Sequence, residues 1–159
     1  MSLISRFGPV AGTLYIAFVF IQSLFFKFTG SVETQHIFGT LNAWAWQTFG
    51  IEGLFLPPGP FNAYVIGSAE LVASVLLLIG LVTGGLRLRL AGALLALGII
   101  SGAIVFHLFT PLGIVVLDDG GLLFAMAVGV WVAAGALAVS GASRLGLLAG
   151  RSEVQAAAA

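Results

Sequence analysis

The apolar run FNAYVIGSAELVASVLLLIGLV occupies residues 61–82 and contains a single ionisable side chain, that of Glu70. As an α-helix, a run of this length crosses the ~30 Å hydrocarbon core of a bilayer. Three more runs of similar length lie at residues 9–27, 90–109 and 121–140. Gly and Ala are frequent inside them, which bilayer helices tolerate. The sequence therefore predicts an all-α integral membrane protein, with one four-helix bundle formed within residues 1–150.

The composition agrees with a lipid environment. Of the 159 residues, 60% are hydrophobic and 8% are charged, whereas a soluble domain carries about 25% charged residues. Six basic residues balance six acidic ones, so no basic surface is expected to bind nucleic acid. The chain has no cysteine, which excludes disulfides, thiolate metal ligands and thiol redox chemistry within it.

Basic residues divide unevenly between the two ends of a four-span arrangement. One end carries five arginines: Arg6, Arg87, Arg89, Arg144 and Arg151. The other end carries Lys27 together with His36, Glu33, Glu52, Asp118 and Asp119. Because cytoplasmic loops are enriched in Lys and Arg, we expect a multi-pass protein of the inner (cytoplasmic) membrane with both termini in the cytoplasm. Residues 151–159 are expected to form a loose cytoplasmic tail.

Between the first two spans, residues 33–49 have the pattern of an amphipathic helix lying at the membrane surface. Its apolar side chains are spaced to share one broad face: Ile37, Phe38, Leu41, Trp44 and Phe49. Trp44 and Trp46 are expected to anchor it at the level of the lipid headgroups. The prolines at residues 57–60 then separate this helix from the second span.

Glu70 is the most costly side chain in the predicted bundle, because a charge at bilayer depth costs from ~2.5 kcal/mol upward. Two interpretations remain open. Glu70 either orders the bundle, protonated or paired with Lys27, or it anchors a ligand or a proton. Lys27, at the end of the first span, either extends to the headgroups or joins Glu70.

Other polar residues belong to the same outer half of the bundle. Gln22 and Ser23 lie about a turn deeper than Lys27, and His107 lies near the end of the third span. His107 either bonds to a neighbouring backbone group or joins a ligand site, while Asp118 or Asp119 is expected to cap the fourth helix. The candidate ligand-binding residues are therefore Lys27, Glu70, His107 and Gln22.

Neither a metal site nor a self-sufficient catalytic set follows from the sequence. His107, Glu70 and an aspartate are ligand types, but they lie on three separate helices and no spacing specifies a metal. Whether the chain is an enzyme is left open. Gly98 and Gly102, spaced four residues apart, are expected to permit close packing of the third helix within the bundle.

Several short motifs resemble those of the DoxX-like family of small bacterial four-helix membrane proteins. They are FFKFTG at residues 25–30, AEL at 69–71, LIG at 78–80, SGA at 101–103, HL at 107–108 and DDGG at 118–121. The resemblance extends from about Pro9 to Val139. Family members include the DoxD-type subunit of a thiosulfate:quinone oxidoreductase and membrane partners of redox or detoxification enzymes.

The resemblance implies a membrane subunit of a redox system that holds a quinone-like molecule, or docks a redox partner, in the outer half of the bundle. Lys27, Glu70 and His107 would then hydrogen-bond a quinone oxygen or move its proton. The lack of cysteine argues against a thiol relay, so the redox cofactor would come from a partner or be the quinone itself.

Two other functions remain open. The small size, the Gly/Ala-rich helices and the lack of a catalytic set also suit a structural or assembly subunit of a larger membrane complex, without its own ligand. A small transporter or channel is disfavoured, because four spans enclose little lumen and no polar path continues from Glu70 into the cytoplasmic half.

Overall fold

The structure, a computed structural model, describes residues 3–147, with side chains from residue 7 onward. The predicted all-α architecture is confirmed. Five helices follow one another: α1 (Leu3–Thr29), α2 (Val32–Phe49), α3 (Ala63–Val82), α4 (Leu86–Phe109) and α5 (Leu122–Arg144). α1, α3, α4 and α5 are each long and apolar enough to cross a membrane. The described residues contain no β-strand, and the predicted tail at 151–159 lies outside them.

The four long helices form a closed ring, in which α1 packs on α3 and α5, and α4 packs on the same two helices. Their shared core contains alanine and larger side chains, and Ile16, Phe20, Leu77 and Val130 are among its fully buried members. Many large apolar side chains face outward, from Phe18 on α1 to Val132 on α5. Such an exposed apolar surface is stable in lipid and costly in water.

The third span begins earlier than the sequence predicted. α4 begins at Leu86 with Gly85 at its N-cap, so Arg87 and Arg89 belong to its first turns and not to a turn between two helices. A bilayer helix can extend past the hydrocarbon core, since arginine stems stay in apolar surroundings while the guanidinium reaches the headgroups. α5 likewise continues to Arg144.

α2 lies over one end of the bundle, and its bounds match the predicted surface helix within one residue. Ser31 caps its start by accepting a hydrogen bond from the Thr34 N–H, and Gly50, with φ of 70°, ends it in the left-handed conformation. Its inner face contributes Phe38, Leu41 and Ala45 to a second apolar cluster, completed by Phe55, Leu112 and Val116 from the loops. This outer cluster closes the end of the bundle that holds Lys27 and His107.

Phe49 and Trp44, which were predicted to share the apolar face of α2, lie in different surroundings. Phe49 is 60% exposed, and its ring contacts Trp44 edge-on. Trp44 also packs against Phe106 of α4, so it belongs to the outer cluster. Trp46 is exposed, which leaves it free to reach the headgroups, and that role stays a prediction.

Close helix packing depends on other glycines than Gly98 and Gly102. A Cβ added at either of those two would have no neighbouring atom within 4 Å, so the predicted packing role is wrong. By contrast, a Cβ at Gly92 would lie 2.9 Å from Leu77 Cγ and 3.0 Å from the Ala73 carbonyl oxygen. Gly92 therefore sets the close approach of α4 to α3.

Candidate ligand-binding site

An ion pair joins α1 to α3 inside the bundle. Lys27 Nζ lies 2.9 Å from Glu70 Oε2 and 3.1 Å from Oε1. Glu70 is 5% exposed, and the side chain of Lys27 is 16% exposed. Lys27 thus points toward Glu70 and does not extend fully to the headgroups. Of the two positions open to the Lys27 side chain, the structure shows the one in which it joins Glu70.

Ser23 is the third member of this cluster. Its hydroxyl lies 2.6 Å from Glu70 Oε2 and 2.9 Å from the Phe20 carbonyl oxygen, and accepts a bond of 3.0 Å from Lys27 Nζ. Ser23 and Lys27 share one face of α1 because they are four residues apart. That spacing identifies Ser23 as the partner, whereas the residue predicted from the sequence was its neighbour Gln22.

Gln22 lies outside the cluster. The residue is exposed on α1, since adjacent helix positions point about 100° apart. None of the hydrogen bonds within the Ser23–Lys27–Glu70 cluster involves it.

Small and apolar residues on α3 bring the two helices together at this level. A Cβ at Gly67, one turn before Glu70, would lie 3.0 Å from the Phe28 ring and 3.4 Å from Leu24. One turn after Glu70, the Ser74 hydroxyl donates to the Glu70 carbonyl oxygen over 2.8 Å. Glu70 therefore lies at a close crossing of α1 and α3, which holds its carboxylate against the α1 face.

The cluster nearly exhausts its own hydrogen-bonding capacity. Lys27 has three N–H groups, and three acceptor atoms lie within reach of them. Glu70 Oε2 accepts from both Lys27 and Ser23, while Oε1 accepts from Lys27 alone among the described residues. A carboxylate oxygen accommodates about two such bonds. Glu70 Oε1 therefore keeps an open acceptor position, and so does the Ser23 hydroxyl oxygen, which accepts only from Lys27 within the cluster.

Aromatic side chains lie next to the cluster on the outward-facing surface. Phe28 follows Lys27 directly, and its ring stacks on Tyr64 of α3 with centroids 6.2 Å apart and planes 10° apart. Both rings are about half exposed. A flat molecule dissolved in the bilayer could therefore meet an aromatic surface beside Lys27, the more exposed charged member of the cluster.

His107 belongs to a different network. Its Nδ1 lies 2.6 Å from the Gly113 carbonyl oxygen, so Nδ1 carries the proton in that bond because a carbonyl can only accept. The ring also contacts Phe124 of α5 edge-on, with centroids 5.6 Å apart. His107 is buried, and these contacts tie it to the loop between α4 and α5. The sequence-based site is thus divided, with Glu70 and Lys27 together and His107 elsewhere.

Asp119 organises that same loop. Its Oδ1 accepts from the N–H groups of Val116 and Gly121, and its Oδ2 accepts from Leu123. Gly121 is the N-cap residue of α5, so the Asp119 carboxylate satisfies free N–H groups at the helix start from two residues before the cap.

Burial raises the pKa of the Asp119 carboxyl, but the backbone hydrogen bonds from Leu123, Gly121 and Val116, together with the electrostatic effect of His107, lower it by more. The net effect is a pKa below the ordinary value. Asp118, in contrast, is exposed and has φ of 23°.

The second histidine of the chain, His36, lies outside the cluster. His36 is exposed on α2. No three of the His, Asp and Glu residues lie close enough together to hold a metal ion anywhere in the described part of the chain.

No protein-family model, curated protein or solved structure matches this chain.

Proposed function

We propose that the protein is the membrane subunit of a redox system and binds a quinone at the Ser23–Lys27–Glu70 cluster. The observation that carries the proposal is an ion pair kept inside a lipid-facing bundle, next to an exposed aromatic pair. Intramembrane ionisable residues are costly and are most often functional. The resemblance to DoxX-like proteins supports the same reading.

The geometry suits a ligand that arrives sideways from the bilayer. A quinone headgroup is flat, apolar over its faces and polar at two opposite oxygens, so Phe28 and Tyr64 could contact its ring while the cluster meets one oxygen. A quinol O–H would donate to Glu70 Oε1, and a quinone carbonyl would need a Lys27 N–H released from its present bonds. The reduced form therefore fits the cluster with less rearrangement.

Conversion of a quinone to a quinol consumes two electrons and two protons. The proposal assigns both electrons to a redox partner, because this chain contains no cysteine and no evident electron carrier. Glu70 and Lys27 would hold or pass a proton at the bound oxygen. The protein would lie in the inner membrane with its arginine-bearing helix ends in the cytoplasm, as the positive-inside rule implies.

The test is the ligand content of protein extracted in mild detergent from native membranes. We expect the wild-type protein to retain quinone and Glu70→Gln to lose most of it, because the amide offers a weaker acceptor and leaves Lys27 without its counter-charge. Gln22→Leu is the matched control, since Gln22 lies next to Ser23 on α1 but is exposed and outside the cluster. Wild-type protein that retains no quinone would refute the proposal.

A second function is favoured by one specific observation. Lys27, Glu70 and Ser23 satisfy most of one another's hydrogen bonds without any ligand, as in a pair that orders a bundle. The protein would then be an assembly subunit of a larger membrane complex. Stoichiometric partners that remain bound in Glu70→Gln would support this function, and a protein that is monodisperse and unaccompanied in native membranes would contradict it.

A further inference from the structure

The helix ends opposite the Ser23–Lys27–Glu70 cluster carry positive charge that no acid neutralises within the described residues. Arg87 and Arg89 lie in the first turns of α4, and Arg144 ends α5. The acids of the described chain are Glu33, Glu52, Glu70, Asp118 and Asp119, and the one salt bridge among the described residues is Lys27–Glu70. Among the described residues, the arginines at this end of the bundle have no acidic partner.

An open apolar groove of about 410 Å³ begins among these charges. Its walls come from α4 and from the residues after α5: Arg87, Leu90, Ala91, Leu94, Leu145 and Leu147. From Arg87 to Leu94 the α4 wall rises about 10 Å along the helix axis. We call this the arginine-end groove. It has one cation at its mouth and aliphatic side chains beyond it.

A second cleft adjoins the arginine-end groove, since Leu90 lines both. Its polar lining is Arg89, Arg144 and Ser140. Gly80 of α3 makes room for the Arg89 stem, because a Cβ there would lie 2.6 Å from Arg89 Cγ. The packing of α1, α4 and α5 thus places Arg89, Arg144 and Ser140 around one narrow cleft, beside a groove that has room for a hydrocarbon chain.

We propose that the arginine end binds an anionic phospholipid, with its phosphate at Arg87 and an acyl chain in the arginine-end groove, while Arg89 and Arg144 in the adjoining cleft add positive charge. Charge complementarity carries the choice of ligand: guanidinium groups bind phosphate oxygens bidentately, and basic recesses between membrane helices suit anionic headgroups. A zwitterionic lipid is disfavoured, because its headgroup carries a positive ammonium group that the arginines repel. The site is separate from the proposed quinone site and does not depend on it.

The experiment is lipid competition read by native mass spectrometry. Delipidated full-length protein is incubated with equimolar phosphatidylglycerol and phosphatidylcholine of identical acyl chains. We expect wild-type protein to bind phosphatidylglycerol at least fivefold in preference, which is about the effect of one arginine near a lipid surface. R87Q/R89Q/R144Q should bring the ratio of the two adducts close to one.

A second variant tests the groove without changing charge. Ala91→Phe fills the α4 wall of the arginine-end groove, so both lipid adducts should decrease while the preference for phosphatidylglycerol remains. Ala125→Phe is the matched control, because Ala125 is exposed near the other end of α5 and should leave both adducts unchanged. Inorganic phosphate at millimolar concentration should not displace the lipid, because it cannot occupy the groove.

Three results would overturn the proposal. One is equal binding of the two lipids by wild-type protein. Another is a preference that survives R87Q/R89Q/R144Q. The last is a preference that appears only after residues 148–159 are removed, which would assign the groove to the chain's own C-terminal segment.

Discussion

Lys27 and Glu70 place opposite charges 2.9 Å apart beside a core of alanine, aliphatic and phenylalanine side chains. Removing one partner of a buried pair leaves the other charge without compensation, which costs about 3–5 kcal/mol. Removing both can cost much less. The contribution of this pair to stability is therefore the coupling free energy between the two side chains. The cost of removing either charge alone is larger than that contribution.

A double-mutant cycle measures that coupling. Lys27→Met and Glu70→Gln should each lower the free energy of unfolding, and the double variant should lose about 0.5–3 kcal/mol less than the sum of the two losses. The measurement is unfolding by SDS titration in mixed micelles. Gln22→Met combined with Glu70→Gln should be additive, since Gln22 is exposed outside the cluster. Additivity in the Lys27–Glu70 cycle would mean that the two side chains are not energetically coupled.

Asp119 predicts a pH dependence at the residue scale. Its pKa is lower in the folded protein than the ordinary value of 3.8, so its contribution is present above about pH 4 and is lost as the pH falls through the folded pKa. Asp119→Asn should reduce stability by about 1 kcal/mol at neutral pH, because the amide keeps one acceptor oxygen but replaces the other, which accepts from the Leu123 N–H, with a donor. The reduction should become smaller in acid.

Thermal unfolding in detergent between pH 2 and pH 7 checks this expectation, with Asp118→Asn as the control. Asp118 is exposed beside Asp119, and asparagine tolerates its positive φ. We expect the control to follow the wild-type curve throughout. If the gap between wild-type protein and Asp119→Asn were constant down to pH 2, the charge of Asp119 would have no part in the cap.

At the scale of the helices, glycines on α4 divide into two groups that their sequence context does not distinguish. Gly92 faces α3 at contact distance, whereas Gly98 is exposed. Gly92→Ala should destabilise the bundle by about 1–3 kcal/mol, because α3 and α4 must separate to admit the methyl group. Gly98→Ala should change stability by no more than about 1 kcal/mol, and in the favourable direction.

The same SDS titration compares the two glycine variants under identical conditions. Equal effects of Gly92→Ala and Gly98→Ala would mean that α3 and α4 do not cross at Gly92. Gly102→Ala supplies a second control, since a Cβ there also has no neighbour within 4 Å.

At the scale of the whole molecule, α2 and the arginine-bearing helix ends lie at opposite ends of the four-helix bundle, and the proposed orientation puts only the arginine-bearing ends in the cytoplasm. The lack of native cysteine makes this testable with single thiols. His36→Cys, on the exposed side of α2, should react with a membrane-impermeant maleimide in intact cells. Thr83→Cys, exposed after α3, should react only after the membrane is permeabilised, and the reverse pattern would invert the proposed orientation.

The sequence alone determined the elements of this protein. Hydropathy and chain length predicted the four spans, and the amphipathic pattern predicted the bounds of α2 within one residue. These properties are local, because in lipid each helix satisfies its own backbone hydrogen bonds. Glu70 could be predicted as a special residue for the same reason. The free-energy cost of burying its charge in lipid depends only on its depth within one span.

Tertiary structure decided which side chains meet. Ser23 and not Gln22 joins Lys27 and Glu70, His107 bonds to the loop after α4, and Gly92 and not Gly98 lies at a helix crossing. Each of these outcomes depends on the rotation of a helix about its own axis. Hydropathy cannot fix that rotation when apolar residues cover every side of a span, so only the packing of neighbouring helices sets it.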